Sequence, residues 1–258
     1  MHPMREGCDV DSGYYAAFTG LMARMQALDS AANNLANTGT NGFRAEKDYF
    51  RNTVTGPDAL NSQLNTAVNN FGVLGGNRVD LNQGQLTATG NPLDVAIEGQ
   101  GFFQVRRADG TILYTRDGSF QRSAKGLLVN SQGQPVLDTR KKPYKTISLP
   151  TGPVTIAADG TVSVAGAVVG QISIVSFPAG TPLTPGGTGQ YTAPATTTRQ
   201  AATGSLHQGV LESSNQDVVR GTLQLILVQR QAEMMQKALS VFGNTLDLEA
   251  SQDLPRVV

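Results

Sequence analysis

Two histidines, His2 and His207, and one cysteine, Cys8, are all the imidazole and thiol chemistry that 258 residues carry. A transition-metal centre assembled from such ligands needs three or four of them at fixed spacing, so no metal site is expected. Asp9-Val10-Asp11 has the carboxylate spacing that opens a calcium loop, but the glycine and distal glutamate that such a loop requires do not follow. Gly99-Gln100-Gly101 begins like a dinucleotide loop. Its third position is Gln104, and strand patterns flank it on both sides, so no helix N-terminus receives a phosphate. Asp117-Gly118-Ser119 offers a hydroxyl nucleophile whose only available base is His207, with no acid beside it to orient the ring. The expectation is therefore a protein with no catalytic residue, no cofactor and no metal.

If side-chain chemistry is not the business of the chain, the elements themselves are. Twenty basic and twenty acidic residues cancel, which excludes the positive field that nucleic-acid binding requires. Only 16% of residues are charged, so surfaces can pack against copies of themselves without burying many ions. One cysteine excludes an internal disulfide framework. No run approaches the roughly 20 apolar residues of a membrane span, so no direct membrane insertion is expected. The opening residues carry no apolar core of a cleavable signal peptide.

Both ends read as long helices. Tyr14, Phe18, Leu21, Met25, Leu28, Ala32 and Leu35 follow one another at steps of four and three, a heptad seam that should stop near Asn37, where Gly39 and Asn41-Gly42 supply turn signals. Leu225, Val228, Ala232, Met235, Leu239, Phe242 and Leu246 repeat the alternation at the other end, with Val218 extending it backwards. Ser213, Ser214 and Asn215 are candidate N-caps for this helix. Leu223, Ile226 and Leu227 lie off the seam, and a helix apolar on two sides needs two neighbours.

The middle is patterned as β. Short segments rich in β-branched and aromatic residues at 102–106, 112–116, 126–130, 154–157, 161–164 and 171–177 are separated by turn signals such as Asp109-Gly110, Asp159-Gly160 and Ala165-Gly166. The stretch 178–204, dense in Pro, Gly, Thr and Ala, reads as mostly irregular. The fold class is α+β: long N- and C-terminal coiled-coil-type helices that pair with each other and flank an all-β central domain. The boundaries are 12–45 for the N-terminal helix of the terminal helical domain, 46–80 for an extended linker, 81–204 for the β domain and 205–250 for the C-terminal helix.

Four segments, in order, resemble the signatures of flagellar rod and hook axial proteins. Ala32-Asn33-Asn34-Leu35-Ala36-Asn37-Thr38-Gly39-Thr40-Asn41-Gly42-Phe43 is similar to the family's N-terminal signature, and Asn91-Pro92-Leu93-Asp94-Val95-Ala96-Ile97-Glu98-Gly99-Gln100-Gly101-Phe102-Phe103 to its central motif. Tyr114-Thr115-Arg116-Asp117-Gly118-Ser119-Phe120 resembles the strand pair that follows. Gln208-Gly209-Val210-Leu211-Glu212-Ser213-Ser214-Asn215 resembles the entry to the last helix. Gly152-Pro153-Val154-Thr155-Ile156, Asp159-Gly160-Thr161-Val162 and Gly170-Gln171-Ile172 look closest to the proximal rod type, with the distal rod type second.

The resemblance implies a structural subunit of the flagellar basal-body rod, in the periplasmic part of that structure. It also implies export through the flagellar type III apparatus without a cleavable signal, and helical polymerisation into a torque-transmitting shaft. Expected partners are the chain itself and other rod and hook axial proteins. Assembly is expected to run through Tyr14, Phe18, Leu21, Met25, Leu28 and Leu35 on the first helix and Val218, Leu225, Ile226, Val228, Met235, Leu239, Phe242 and Leu246 on the last. Asn33, Asn34 and Asn37 are expected to fix register between helices, as buried polar residues do in coiled coils. The other readings are a hook-type axial protein, a β-domain binding module, for which no aromatic cluster or paired acids are available, and an export adaptor that never polymerises.

Overall fold

The computed structural model describes residues 7–51, 73–138, 144–178 and 180–253, with side chains over 18–49, 75–138, 144–178 and 180–241. The chain is α+β, a mostly β centre between one N-terminal and one C-terminal helix. Helix α1 spans Gly7–Ala36. It is followed by β1 (Glu46–Arg51), β2 (Val73–Val79), β3 (Leu86–Ala88), β4 (Val95–Glu98), β5 (Phe102–Arg106), β6 (Ile112–Thr115), β7 (Gln121–Arg122) and β8 (Leu128–Val129). Next come β9 (Leu137–Asp138), β10 (Lys145–Thr146), β11 (Val154–Ile156), β12 (Thr161–Val164), β13 (Ala167–Gln171) and β14 (Ile174–Ser176). The chain closes with β15 (Thr184–Gly187), β16 (Gln190–Thr192), β17 (Gln200–Ala201), β18 (Ser205–Gln208), β19 (Val210–Glu212) and helix α2 (Val218–Asp253). No helix among the described residues is long and apolar enough to cross a membrane.

The chain divides into two compact units, one of 1–33, 46–78 and 219–258, the other of 34–45 and 79–218. The larger unit is built on a six-stranded sheet of order β15-β16-β6-β5-β14-β17, each pairing antiparallel. Alternation along its central strands sends side chains to two cores. Phe103, Val105 and Leu113 join Val95, Ile97, Phe120, Leu128 and Ile172 on one face, while Phe102 and Tyr114 join Val175, Phe177, Leu183 and Tyr191 on the other. Both faces are covered, so β5 is buried at four successive residues, Phe102 to Val105, and not at alternate ones.

The strands expected from 102 to 177 are present within a few residues of their predicted ends. The hairpin between β12 and β13 turns through Ala165 (φ 50°) and Gly166 (φ 84°), the positive pair that a tight turn of right-handed twist requires. The stretch 178–204 departs from its expectation. It carries β15, β16 and β17, anchored by buried Tyr191. Pro185 and the glycines around it hide the strand pattern, and they are tolerated because β15 is the outermost strand, with its irregularity between Pro185 and Gly187. Residues 205–212, grouped in sequence with the last helix, form β18 against β4 and β19 against β3. Residues 46–51 and 73–79, within the expected linker, pair as β1 and β2.

Candidate assembly site

On α1 the row covered within a single chain is not the leucine and methionine seam. Gly20, Ala23, Ala27, Ser30, Ala31 and Asn34 are buried, while Phe18 and Met25 are exposed and Leu21, Leu28 and Leu35 are half-buried. Gly20, Ala23, Ala27, Ser30 and Asn34 keep the alternation of three and four but stand two residues on from Phe18, Leu21, Met25, Leu28 and Ala32, about 160° around the helix. Small side chains allow close approach, and the Ser30 hydroxyl donates to Asp48 Oδ1 of β1 at 3.0 Å. Burial raises the carboxyls of Glu46 and Asp48 above their ordinary range, opposed by the hydrogen bonds from Asn77 and Ser30 respectively. Of the three asparagines, Asn34 is buried, Asn37 half-buried and accepting from the Thr40 hydroxyl at 3.1 Å, and Asn33 exposed.

On α2 the predicted seam is the more covered side. Gly221 and Ala232 are buried, and Leu225, Val228, Met235 and Leu239 are half-buried. Val218 stands outside it, exposed. Leu223, Ile226 and Leu227 form the second row at 57%, 43% and 59% exposure, and Val219, Met234 and Val241 continue it. The side chains of Tyr14, Phe242 and Leu246 lie outside the described residues.

Within the larger unit, the segment after α1 is locked to the segment before α2. Glu212, 1% exposed, places Oε1 2.7 Å from Arg44 Nη2 and Oε2 3.1 Å from Arg116 Nη1, and the Gly84 amide donates to Oε1 at 2.8 Å. Arg44 also donates to the Asn82 carbonyl. Arg116 donates through Nη1 to the Ile97 carbonyl at 3.0 Å and through Nη2 to that of Gly99 at 2.5 Å. The Arg44 backbone is held at both polar groups by the Tyr191 hydroxyl, which accepts from N at 2.9 Å and donates to O at 3.2 Å. Desolvation lowers the affinity of both guanidiniums for their protons, and Glu212 opposes the shift.

Asn215, expected as a helix cap, serves this clasp instead. Its Oδ1 accepts from Ala45 N at 2.7 Å, and its Nδ2 donates to the carbonyls of Asp80 and Asn82 at 2.9 and 3.0 Å. Ser214 Oγ accepts from Gln216 N, which makes a turn ahead of Val218 where the helix begins. Asn215→Ala removes three hydrogen bonds to backbone groups, of which the Asn82 carbonyl keeps Arg44 as a donor. The expected loss is about 2–3 kcal/mol in urea denaturation, against less than about 0.5 for the exposed Asn82→Ala, which keeps its carbonyl.

Arg44, Arg116, Glu212 and Asn215 were not among the expected site residues. The signal was present: Arg116, Glu212 and Asn215 fall inside the motif segments and Arg44 directly follows one, in a chain with few charges. The four segments quoted above converge here through Gly42 and Phe43, the carbonyls of Ile97 and Gly99, Arg116, and Glu212 with Asn215. Of the groups weighed first as chemistry, the Ser119 hydroxyl donates to Asp117 Oδ1 at 2.6 Å, and His207 Nε2 lies 2.6 Å from Glu98 Oε2 on the exposed face of β18 and β4.

A family model described as the flagellar hook protein FlgE/F/G D1 domain matches residues 96–164. The flagellar basal-body rod protein FlgF of Caulobacter vibrioides is 35% identical, over 94% of this chain and 96% of its own length. The flagellar basal-body rod protein FlgG of Buchnera aphidicola from Acyrthosiphon pisum is 34% identical, over 88% and 94%. FlgF of Escherichia coli K12 is 32% identical, over 88% and 93%.

Proposed function

The chain belongs to the flagellar basal-body rod protein family, and from that premise we propose a structural rod subunit that polymerises through its terminal helices into a torque-transmitting shaft. The observation that carries this reading is the open apolar row on α2, Val219, Leu223, Ile226, Leu227, Met234 and Val241, each 43–67% exposed. Covering those six side chains returns roughly 6–12 kcal/mol. Association itself consumes roughly 4–15 kcal/mol, so a single contact is near balance. Several contacts per subunit tip it, and head-to-tail contacts that do not close into a ring supply them as a helical lattice.

In this reading the covered rows of α1 and α2, both at heptad spacing and in the same compact unit, form the coiled-coil pair. Phe18, Met22 and Met25 on α1 and the open row on α2 then meet sister subunits or other rod and hook proteins. The domain boundaries proposed from sequence follow the same division of labour, with the terminal helices assembling and the β centre as an independent body. Export through the flagellum's own type III apparatus and residence in the periplasmic part of the basal body follow from membership of the rod. A non-enzymatic role accords with the rod-protein names of the relatives. The proximal position rests on the Gly152–Val162 and Gly170–Ile172 segments, since relatives named FlgF and FlgG match at 35% and 34%.

The test is a double substitution, Leu223→Asp with Leu227→Asp, beside Gln224→Asp on the same helix. The double variant should keep its thermal midpoint within about 3 °C, because both side chains are already exposed. It should fail to co-purify with basal bodies and should abolish motility, with Gln224→Asp unaffected. Normal motility of the double variant would sink the proposal.

A further inference from the structure

Asn41-Gly42 is the only asparagine followed by glycine in the chain, and it sits in the turn that enters the clasp. An asparagine before glycine is unusually open to attack on its own side chain, because glycine puts no Cβ in the way of the ring that must form. In that reaction the Gly42 nitrogen bonds to Asn41 Cγ, the Cγ–Nδ2 bond breaks, and ammonia leaves with the proton that Gly42 N gives up. Water then opens the succinimide. Opening at Cγ restores the backbone with an aspartate at 41. Opening at the main-chain carbonyl leaves an isoaspartate, whose main chain runs through Cβ and Cγ and is one atom longer.

The Asn41 side chain is half-buried and makes no hydrogen bond among the described residues. What the fold holds is the attacking nitrogen. Gly42 N donates to Glu212 O at 2.7 Å, and Phe43 N closes the turn on Thr40 O at 3.3 Å. The φ angle is positive at Gly42 and not at Asn41, the signs of a type II turn. To attack, the nitrogen has to leave Glu212, lose its proton and swing its peptide onto Asn41 Cγ. The closed clasp leaves no room for that swing. A carbon added to Gly42 would lie 2.2 Å from Arg116 C and 2.3 Å from Asp117 N. The reaction therefore runs through the open state, at a rate set by how often the clasp opens.

We propose that Asn41 is a self-modification site gated by the clasp. Closed, the clasp protects it; open, Asn41 converts to aspartate or isoaspartate, and the isoaspartate form does not close again. Its extra main-chain atom has to fit beside Gly42, where the backbone of Arg116 and Asp117 excludes even one carbon. Aspartate at 41 keeps the backbone and still closes. A chain that stays open is thus removed from the foldable pool by its own chemistry, with water as the one co-reactant. The inference uses the clasp alone and stands whether or not the chain polymerises.

The experiment incubates the full-length protein at mildly alkaline pH, with and without guanidinium chloride, and digests it with trypsin. Mass spectrometry with chromatographic separation resolves the peptide Met25–Arg44 into its asparagine, aspartate and isoaspartate forms, with Asn33, Asn34 and Asn37 in the same peptide as internal controls. Asn41 should convert roughly a hundredfold or more faster in denaturant than in the native protein. Asn215→Ala, which loosens the clasp, should speed native conversion by roughly tenfold or more. Gly133→Ala, in a turn of the same unit outside the clasp, should leave it within about twofold. On return to buffer, chains carrying isoaspartate at 41 should not regain the parent thermal midpoint, whereas Asn41→Asp should reach it within about 3 °C. Native conversion as fast as in denaturant, equal acceleration by Asn215→Ala and Gly133→Ala, or an isoaspartate fraction that recovers the parent midpoint would each overturn the proposal.

Discussion

Glu212→Gln should destabilise the protein by about 3–5 kcal/mol, because it leaves the buried guanidiniums of Arg44 and Arg116 without their shared counter-charge. The substitution keeps the size of the side chain, so packing is preserved and the loss is electrostatic. It is worse than neutral in detail: one of the two oxygens that now accept from Arg44, Arg116 and Gly84 becomes an amide that can only donate. Urea denaturation followed by near-ultraviolet circular dichroism measures it, and the thermal midpoint should drop by about 10 °C for a unit of this size. Replacing all three members together, Arg44→Met, Glu212→Leu and Arg116→Met, should recover most of the loss, since removing a whole buried ion cluster is far less costly than breaking it. A Glu212→Gln variant within about 1 kcal/mol of the parent would mean that the cluster contributes nothing specific.

Gly42→Ala should be at least as damaging for a different reason. Gly42 has φ +66°, and a Cβ built there would lie 2.2 Å from Arg116 C and 2.3 Å from Asp117 N. Those are backbone atoms and cannot rotate away. The residue that makes the turn after α1 is therefore pressed against the backbone of Arg116 and Asp117 just past β6, and its amide donates to the Glu212 carbonyl at 2.7 Å. A loss above about 4 kcal/mol is expected. Gly133→Ala is the control: its φ is +77°, but nothing lies within 4 Å of the added carbon, so only the left-handed conformation is penalised, by about 1–2 kcal/mol. The difference between the two isolates close approach from backbone freedom. Equal losses in both would remove the close approach as the reason for a glycine at 42.

Much of the architecture is local and could be read in advance. The end of α1 near Asn37 follows from the turn signals at Gly39 and Asn41-Gly42, and the hairpins at Asp109-Gly110 and Ala165-Gly166 follow from dipeptides that tolerate positive φ. The strands in 178–204 were hidden because edge strands accept Pro185 and glycine, which erase the alternation used to find strands. The helical role assigned to Asn215 failed on a related ground. An asparagine before a helix has the local option of capping it, and only the approach of Ala45, Asp80 and Asn82 offers it three better partners.

Periodicity and turn chemistry by themselves determined two long terminal helices, a β centre between them and an apolar excess on the last helix, because each depends on residues within a few positions of one another. Which row of α1 is covered, and which arginines meet Glu212, only the tertiary structure decided. Two rows two residues apart have the same heptad spacing, so the choice between them falls to the shape of whatever packs against the helix. An ion pair between distant segments leaves no period in the sequence at all; it exists because the fold takes Arg44, Arg116 and Glu212 out of water at the same point.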